Sequence, residues 1–230
     1  MIPFRTSAPT TASPVVTMGL IVANIAVYFY QMGLAGPAAN LFIYTFALVP
    51  AVYSHPQAAL DAGLDPDSYL PLITNTFMHG GPLHLIFNMW TLWLFGGPLE
   101  SRLGRVGFIL FYLFCGALGS LGHLAFNLDS TIPALGASGA IAGVLGGYAW
   151  LFPKARISIV QPIFFFPLIF QLPALVYTAV WFGLQIFQGV IEFANRTGEQ
   201  AGGIAWWAHI GGFAAGLLLV RFYAKRHPAS

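Results

Sequence analysis

Charge is what this sequence has least of: Asp, Glu, Lys and Arg make up 7% of its 230 residues, against about 25% in soluble domains. A water-soluble surface cannot be built from that supply. The formal net charge is only +2, so there is no basic face and nucleic acid is excluded as a partner. A single cysteine, Cys115, rules out an internal disulfide, and its apolar helical setting points to a packing role. No H-E-x-x-H occurs, which removes that zinc motif. His79, His84 and His209 lack the i, i+4 pairing and the carboxylate of a metal site. The expectation is therefore no metal and no cofactor.

What is present is apolar. Hydrophobic residues supply 57% of the chain, and its mean hydropathy is +0.75. They gather into stretches of about 17–25 residues, long enough to cross a hydrocarbon core of about 30 Å. Windows bounded by Gly, Pro and charge predict six spans near 15–32, 83–97, 106–126, 137–152, 171–191 and 204–223. Residues 1–14, rich in Thr, Ser and Pro, precede an apolar run too long for a signal-peptide core of about 7–15 residues. That run reads as the first span, and nothing Arg-rich and amphipathic suggests organelle import. Segments 33–82 and 157–170 are interrupted by Pro and Gly. Both are expected to be interfacial or re-entrant, which is tolerated where protein or water satisfies the backbone.

Arg5, Arg102, Arg105, Lys154, Arg156, Arg221, Lys225 and Arg226 all fall on one side of this arrangement, and only Arg196 on the other. The positive-inside rule then predicts cytoplasmic termini and a multi-pass protein of the cell membrane. The expected division is a short cytoplasmic segment 1–14, a six-span domain 15–223 and a cytoplasmic tail 224–230. Spans two, four and six run from outside to inside.

Polar groups within spans are costly and mark function. Ser138 opens span four in Gly136-Ala137-Ser138-Gly139. His209 lies early in span six in Ala208-His209-Ile210-Gly211-Gly212, and His84 and Asn88 lie early in span two. At 1.5 Å per residue these groups fall within about 10 Å of one another in depth. A serine and an imidazole so placed suit a nucleophile and its general base. His209, Gly212 and Gly216 share one face, and Gly139, Gly143 and Gly147 form a second small-residue stripe beside Ser138. Small-xxx-small faces allow backbones to approach closely. His84 and Asn88, at i and i+4, are candidate donors to an oxyanion, as is the backbone N–H of Ser138 at a helix start. His79 fits an ordering role in a loop as well as a direct one. No Asp or Glu occurs inside a proposed span, so the expected site is a Ser-His dyad and an intramembrane aspartyl protease is excluded.

These residues resemble the rhomboid proteases. The likeness runs through residues 70–220: Thr76-Phe77-Met78-His79-Gly80, His84-Leu85-Ile86-Phe87-Asn88-Met89, Leu99-Glu100 with Gly104, Gly136-Ala137-Ser138-Gly139, and Ala208-His209-Ile210-Gly211-Gly212 with Gly216. The resemblance implies an all-α membrane protein, a six-helix bundle with a membrane-embedded connection between spans one and two. It further implies Ser138 as nucleophile, His209 as base, and His84 and Asn88 as oxyanion stabilisers. The implied partners are the lipid bilayer and single-span or multi-span membrane protein substrates, cleaved near the outer face. The family often carries an aromatic residue one turn after the serine; this chain has Ala142.

Two other functions compete. One is a catalytically silent rhomboid-like protein that binds membrane clients; the other is a transporter or channel, although the polar groups cluster in one leaflet instead of lining a path. A structural salt bridge is expected for Glu100 and Arg102, and an interfacial aromatic belt for Trp206 and Trp207. Span five, with Phe170, Trp181, Phe182 and Phe187, is either an ordinary lipid-facing helix or, with connection 192–203, a lateral gate.

Overall fold

A computed structural model describes residues 1–163, 166–194 and 205–226, with side chains of the last stretch through 223. The chain opens with strand β1 (Ile2–Thr6) and helix α1 (Val15–Gly33). Four short helices follow, α2 (Gly36–Phe46), α3 (Ala51–Ser54), α4 (Pro56–Asp61) and α5 (Pro71–Thr74), then a 3-10 turn (Asn75–Phe77). Proline in the first turn of α2, α4 and α5 starts each of them, because its fixed φ suits a position whose N–H is unsatisfied anyway. The connection between spans one and two is thus a chain of helical turns.

Expected spans two and three form one helical run, α6 (Pro82–Phe126), broken at Gly104, whose φ of 70° and ψ of 166° are not helical. Glycine adopts that φ without a Cβ clash, so the residue reads as a hinge between two arms, each about 33 Å long at 1.5 Å per residue. Helix α7 (Ser138–Leu151) follows, then strands β2 (Arg156–Ile163) and β3 (Phe166–Pro173), and helices α8 (Ala174–Ala194) and α9 (Trp206–Arg226). Among the described residues α1, α6 and α8 are long and apolar enough to cross a membrane, and the chain is a membrane protein. Helix occupies most of each of the six apolar segments among the described residues, but α7 has 14 residues, about 21 Å, short of a core about 30 Å thick.

The all-α expectation is corrected by a three-stranded antiparallel sheet in the order β1-β2-β3. Ile157 and Ile159 of β2 are fully buried, and β3 forms an edge that carries Pro167 and Pro173. Proline is tolerated at an edge because no further strand needs its missing N–H. The described residues of segment 157–170 are therefore paired antiparallel strands. The N-terminal residues, expected to be a simple cytoplasmic segment, supply the third strand, and Trp90 Nε1 donates to the Pro3 carbonyl at 2.7 Å. Span five accordingly begins at Ala174, since residues 171–173 end β3.

Helix α7 is the hub. Every residue from Gly139 to Ala149 is buried, and the core around it takes Phe95, Phe108, Tyr112, Cys115, Tyr148 and Phe213. A methyl group at Gly212 would collide with the Gly139 carbonyl, and one at Gly216 with the Gly143 carbonyl. The backbones of α7 and α9 touch there, as the stripes predicted. The third member of the α7 stripe differs: Gly146 faces the Phe213 carbonyl, while Gly147 lies against Phe111. Cys115 packs on Gly143 and is fully buried, which suits the packing role.

Contacts define two ends of the bundle. At one end Ser7 and Arg156 exchange hydrogen bonds, and Ser101 Oγ accepts from Thr11 and Ala12. Here too Glu100 accepts from the N–H groups of Val16 and Thr17 at 2.9 and 2.8 Å and from the Thr17 hydroxyl at 2.7 Å. Glu100 is buried inside α6 and caps the positive end of the α1 dipole, which replaces the expected salt bridge with Arg102. At the other end Leu48 bridges Ala134, Ser54 bonds the Leu128 carbonyl, and His55 meets Asp129 at 3.1 Å. Arg196, Glu199 and most of connection 192–203 lie outside the described residues, as do the side chains of Lys225 and Arg226 and residues 227–230.

Candidate active site

Ser138 is the first residue of α7, where backbone N–H groups have no intrahelical acceptor and the dipole is positive. Gly136 delivers the chain to this point. Its φ of +132° is one that L side chains rarely adopt, and a Cβ on it would meet the His84 ring at 2.6–2.8 Å. Only glycine lets the imidazole of α6 lie against the loop beside Ser138. Asn75 braces that loop, accepting from Gly136 N–H at 2.9 Å through its carbonyl and donating through Nδ2 to Ser120 Oγ at 2.9 Å. Asn75 is a supporting residue that sequence reasoning missed.

His209 sits one turn into α9 and is buried. Its Nε2 lies 2.8 Å from Ser138 Oγ, within range for direct proton transfer. Its Nδ1 lies 2.6 Å from Gln185 Oε1 of α8. The rings of Trp181 and Trp206 flank it at centroid distances of 5.9 and 6.1 Å. Ala142, fully buried, offers it no ring. Gln185 was not singled out in the sequence; the available signal was an amide inside an apolar span, which is costly unless it has a partner. Trp207 is half-buried and stacks on Phe126 at 3.8 Å.

Asn88 is buried, and its Nδ2 has no hydrogen-bond partner among the described residues. A buried amide without a partner costs free energy, and Asn88 lines the same cavity as Ser138, His84 and His209. That cavity has a volume of about 660 Å³. Its wall is apolar at Leu135, Ile141 and Tyr177, and polar at His123, Asn127 and Ser130. A pre-placed donor beside a nucleophile can receive an oxyanion. His79 is different: it is buried, its ring packs edge-on to His84 at 5.1 Å, and its backbone N–H donates to Gln31 Oε1 at 3.1 Å. It orders the connection against α1.

The proposed spans contain no carboxylate, but the helices do. Glu100 lies within α6, and Glu192, in the last turn of α8, lines the cavity. Among the described residues no three His, Cys, Asp or Glu side chains gather as a metal-ligating group.

A family model described as Rhomboid domain matches residues 66–226. Rhomboid protein 1, mitochondrial, of Saccharomyces cerevisiae is 32% identical over 162 residues, 69% of this chain and 43% of the yeast protein. RHOMBOID-like protein 4 of Arabidopsis thaliana is 35% identical over 150 residues, 64% of this chain and 32% of the plant protein. Rhomboid protease GlpG of Serratia proteamaculans is 27% identical over 217 residues, 88% of this chain and 69% of the bacterial protein. The chain spans less than half the length of the yeast and plant relatives.

Proposed function

We propose that this chain, which belongs to the rhomboid family, is a serine endopeptidase that cuts transmembrane-helix substrates inside the bilayer, near its outer face. The observation that carries the reading is the 2.8 Å contact between Ser138 Oγ and His209 Nε2, made on a cavity within an apolar helical bundle. Ser138 Oγ attacks the scissile carbonyl carbon while His209 Nε2 takes the hydroxyl proton. The carbonyl oxygen becomes an oxyanion, received by Asn88 Nδ2, His84 and the N–H of Ser138. Collapse breaks the C–N bond, and His209 returns the proton to the leaving amine. Water then attacks the acyl-enzyme, gives a proton to His209 and frees the new carboxyl end. Serine regains its proton in the same step.

The polar side chains of His123, Asn127 and Ser130 on the cavity wall support water access for that second half. Arg5, Arg102 and Arg156 belong to the segments joined at one end of the bundle, where Ser7, Ser101 and Glu100 make their bonds. The charge rule then supports cytoplasmic termini and six crossings of the cell membrane, with short α7 held inside the bundle. Helical backbone engages its own carbonyls, so good substrates carry Gly, Pro or other weak helix formers near the scissile bond.

The test is incubation of purified protein with a panel of single-span helices, with and without Ser138→Ala. Cleavage by the wild type and none by the variant is expected. No cleavage of any helix, or cleavage that survives Ser138→Ala, would overturn the reading.

A further inference from the structure

We propose that Gln185 of α8 is a positioning residue that fixes the tautomer of His209, so that the nitrogen facing Ser138 is the one free to accept its proton. The inference rests on the Ser138–His209 reading above. Gln185 is buried, and each end of its amide has a distinct task. Nε2 lies 3.4 Å from the Trp181 carbonyl, one turn back on α8, and donates to it. Oε1 lies 2.6 Å from His209 Nδ1. The reverse orientation would set Oε1 against a carbonyl oxygen, two acceptors with no proton between them. The amide is therefore locked with its oxygen toward the ring, and an amide oxygen only accepts. Nδ1 must then carry the imidazole proton. Nε2 is left as the lone-pair nitrogen, 2.8 Å from Ser138 Oγ.

The chain of donors runs in one direction, from Ser138 Oγ–H to Nε2 and from Nδ1–H to Oε1. That is the work a third group does for a serine-histidine pair: it holds the ring and its tautomer, and it steadies the imidazolium when that forms. Here a neutral amide does it, and it stands on a different helix from both reacting groups. Trp181 and Trp206 border the ring but make no hydrogen bond to its nitrogens. The other titratable side chains on the cavity are His84 and His123 of α6 and Tyr177 and Glu192 of α8; Gln185 is the residue that bonds Nδ1.

The test compares wild type with Gln185→Leu, which keeps the volume but not the acceptor, and Gln185→Glu, which keeps the acceptor and adds charge. Two readouts are taken: cleavage kinetics against pH, and the ¹⁵N spectrum of the His209 imidazole. Gln185→Leu should lower kcat about 10–100-fold, the range for losing a group that orients an imidazole, with KM unchanged, and should turn a single Nδ1–H tautomer into a mixture. Gln185→Glu should restore most of kcat and move the acidic limb of the profile to higher pH, because a carboxylate favours the protonated ring. A Leu variant with kcat within twofold of wild type, or with its tautomer unchanged, would overturn the proposal. If the Leu variant does not fold, an acidic limb in Gln185→Glu at the wild-type position does so instead. Wild-type protein that cleaves nothing would sink the protease reading, while the ¹⁵N spectrum still decides the role of Gln185.

Discussion

Ser138 Oγ and His209 Nε2 lie 2.8 Å apart although 71 residues separate them along the chain. The approach depends on bare backbone. Gly139 and Gly143 of α7 meet Gly212 and Gly216 of α9 with no room for a side chain between them, so Ser138, next to Gly139, and His209, one turn before Gly212, are drawn within hydrogen-bond range.

That dependence sets the first prediction. Gly216→Ala should destabilise the protein by about 1–3 kcal/mol or more through overpacking against the Gly143 carbonyl, and cleavage should fall with it. Gly183→Ala is the control, because a Cβ there meets nothing within 4 Å. Thermal unfolding in detergent compares the two. Equal midpoints would mean that the α7–α9 contact tolerates a methyl group.

The oxyanion donors give the second. His84→Ala and Asn88→Ala should each lower turnover about 10²–10³-fold, the usual loss for one such donor, with the fold retained. The unpartnered Asn88 Nδ2 motivates the prediction. Unchanged rates in both variants would place the oxyanion elsewhere.

A third concerns Glu100, whose carboxylate accepts three hydrogen bonds at the start of α1. Glu100→Ala strands those donors in a buried site and should cost about 1–3 kcal/mol, read as a lower unfolding midpoint. Because Glu100 is remote from the cavity lining, the variant should cleave near the wild-type rate at temperatures where it stays folded. A full loss of cleavage in folded protein would contradict a purely structural role.

Orientation in the membrane yields the fourth. Asp65 is exposed and belongs to the connection tied to the end of the bundle away from Glu100 and Arg156. Asp65→Cys should react with an impermeant thiol reagent in intact cells, since Cys115 is buried and silent. Protection of that site would reverse the assigned orientation.

The fifth tests how a substrate helix reaches the serine. Helix α8 buries five of its 21 residues, Ala174, Tyr177, Thr178, Gln185 and Gly189, and Phe182 stacks on Phe213 of α9 at 4.4 Å. Phe182→Ala should speed cleavage of a transmembrane substrate if that stack holds a gate shut. It is a cleaner probe than Trp181→Ala, because the Trp181 ring also borders His209. A disulfide tethering α8 to α6 should stop the cleavage; if cleavage continues unchanged, the gate is not on α8. Displacing α8 would also carry Gln185 off the imidazole, so the base is fully oriented only when the helix returns.

Much of this protein can be read directly from its residues. Scarcity of charge and long apolar runs fixed lipid as its solvent, and those runs located α1, α8 and α9 to within a few residues, because hydrophobic length and helical period are written locally. Ser138, His209, His84 and Asn88 stand out in the sequence as candidates because polar groups are rare and costly in such helices. Tertiary structure alone decided the rest. The β1–β2 pairing joins Ile2 to Val160, far apart in the chain, and no local period announces a partner at that distance. Glu100 read as a loop charge until its neighbours proved to be the first N–H groups of α1. Gln185 carried no motif, and its meaning came only from Nδ1 of His209 at 2.6 Å. A residue's polarity can be read in one dimension, but a hydrogen bond needs two partners, and the fold chooses the second.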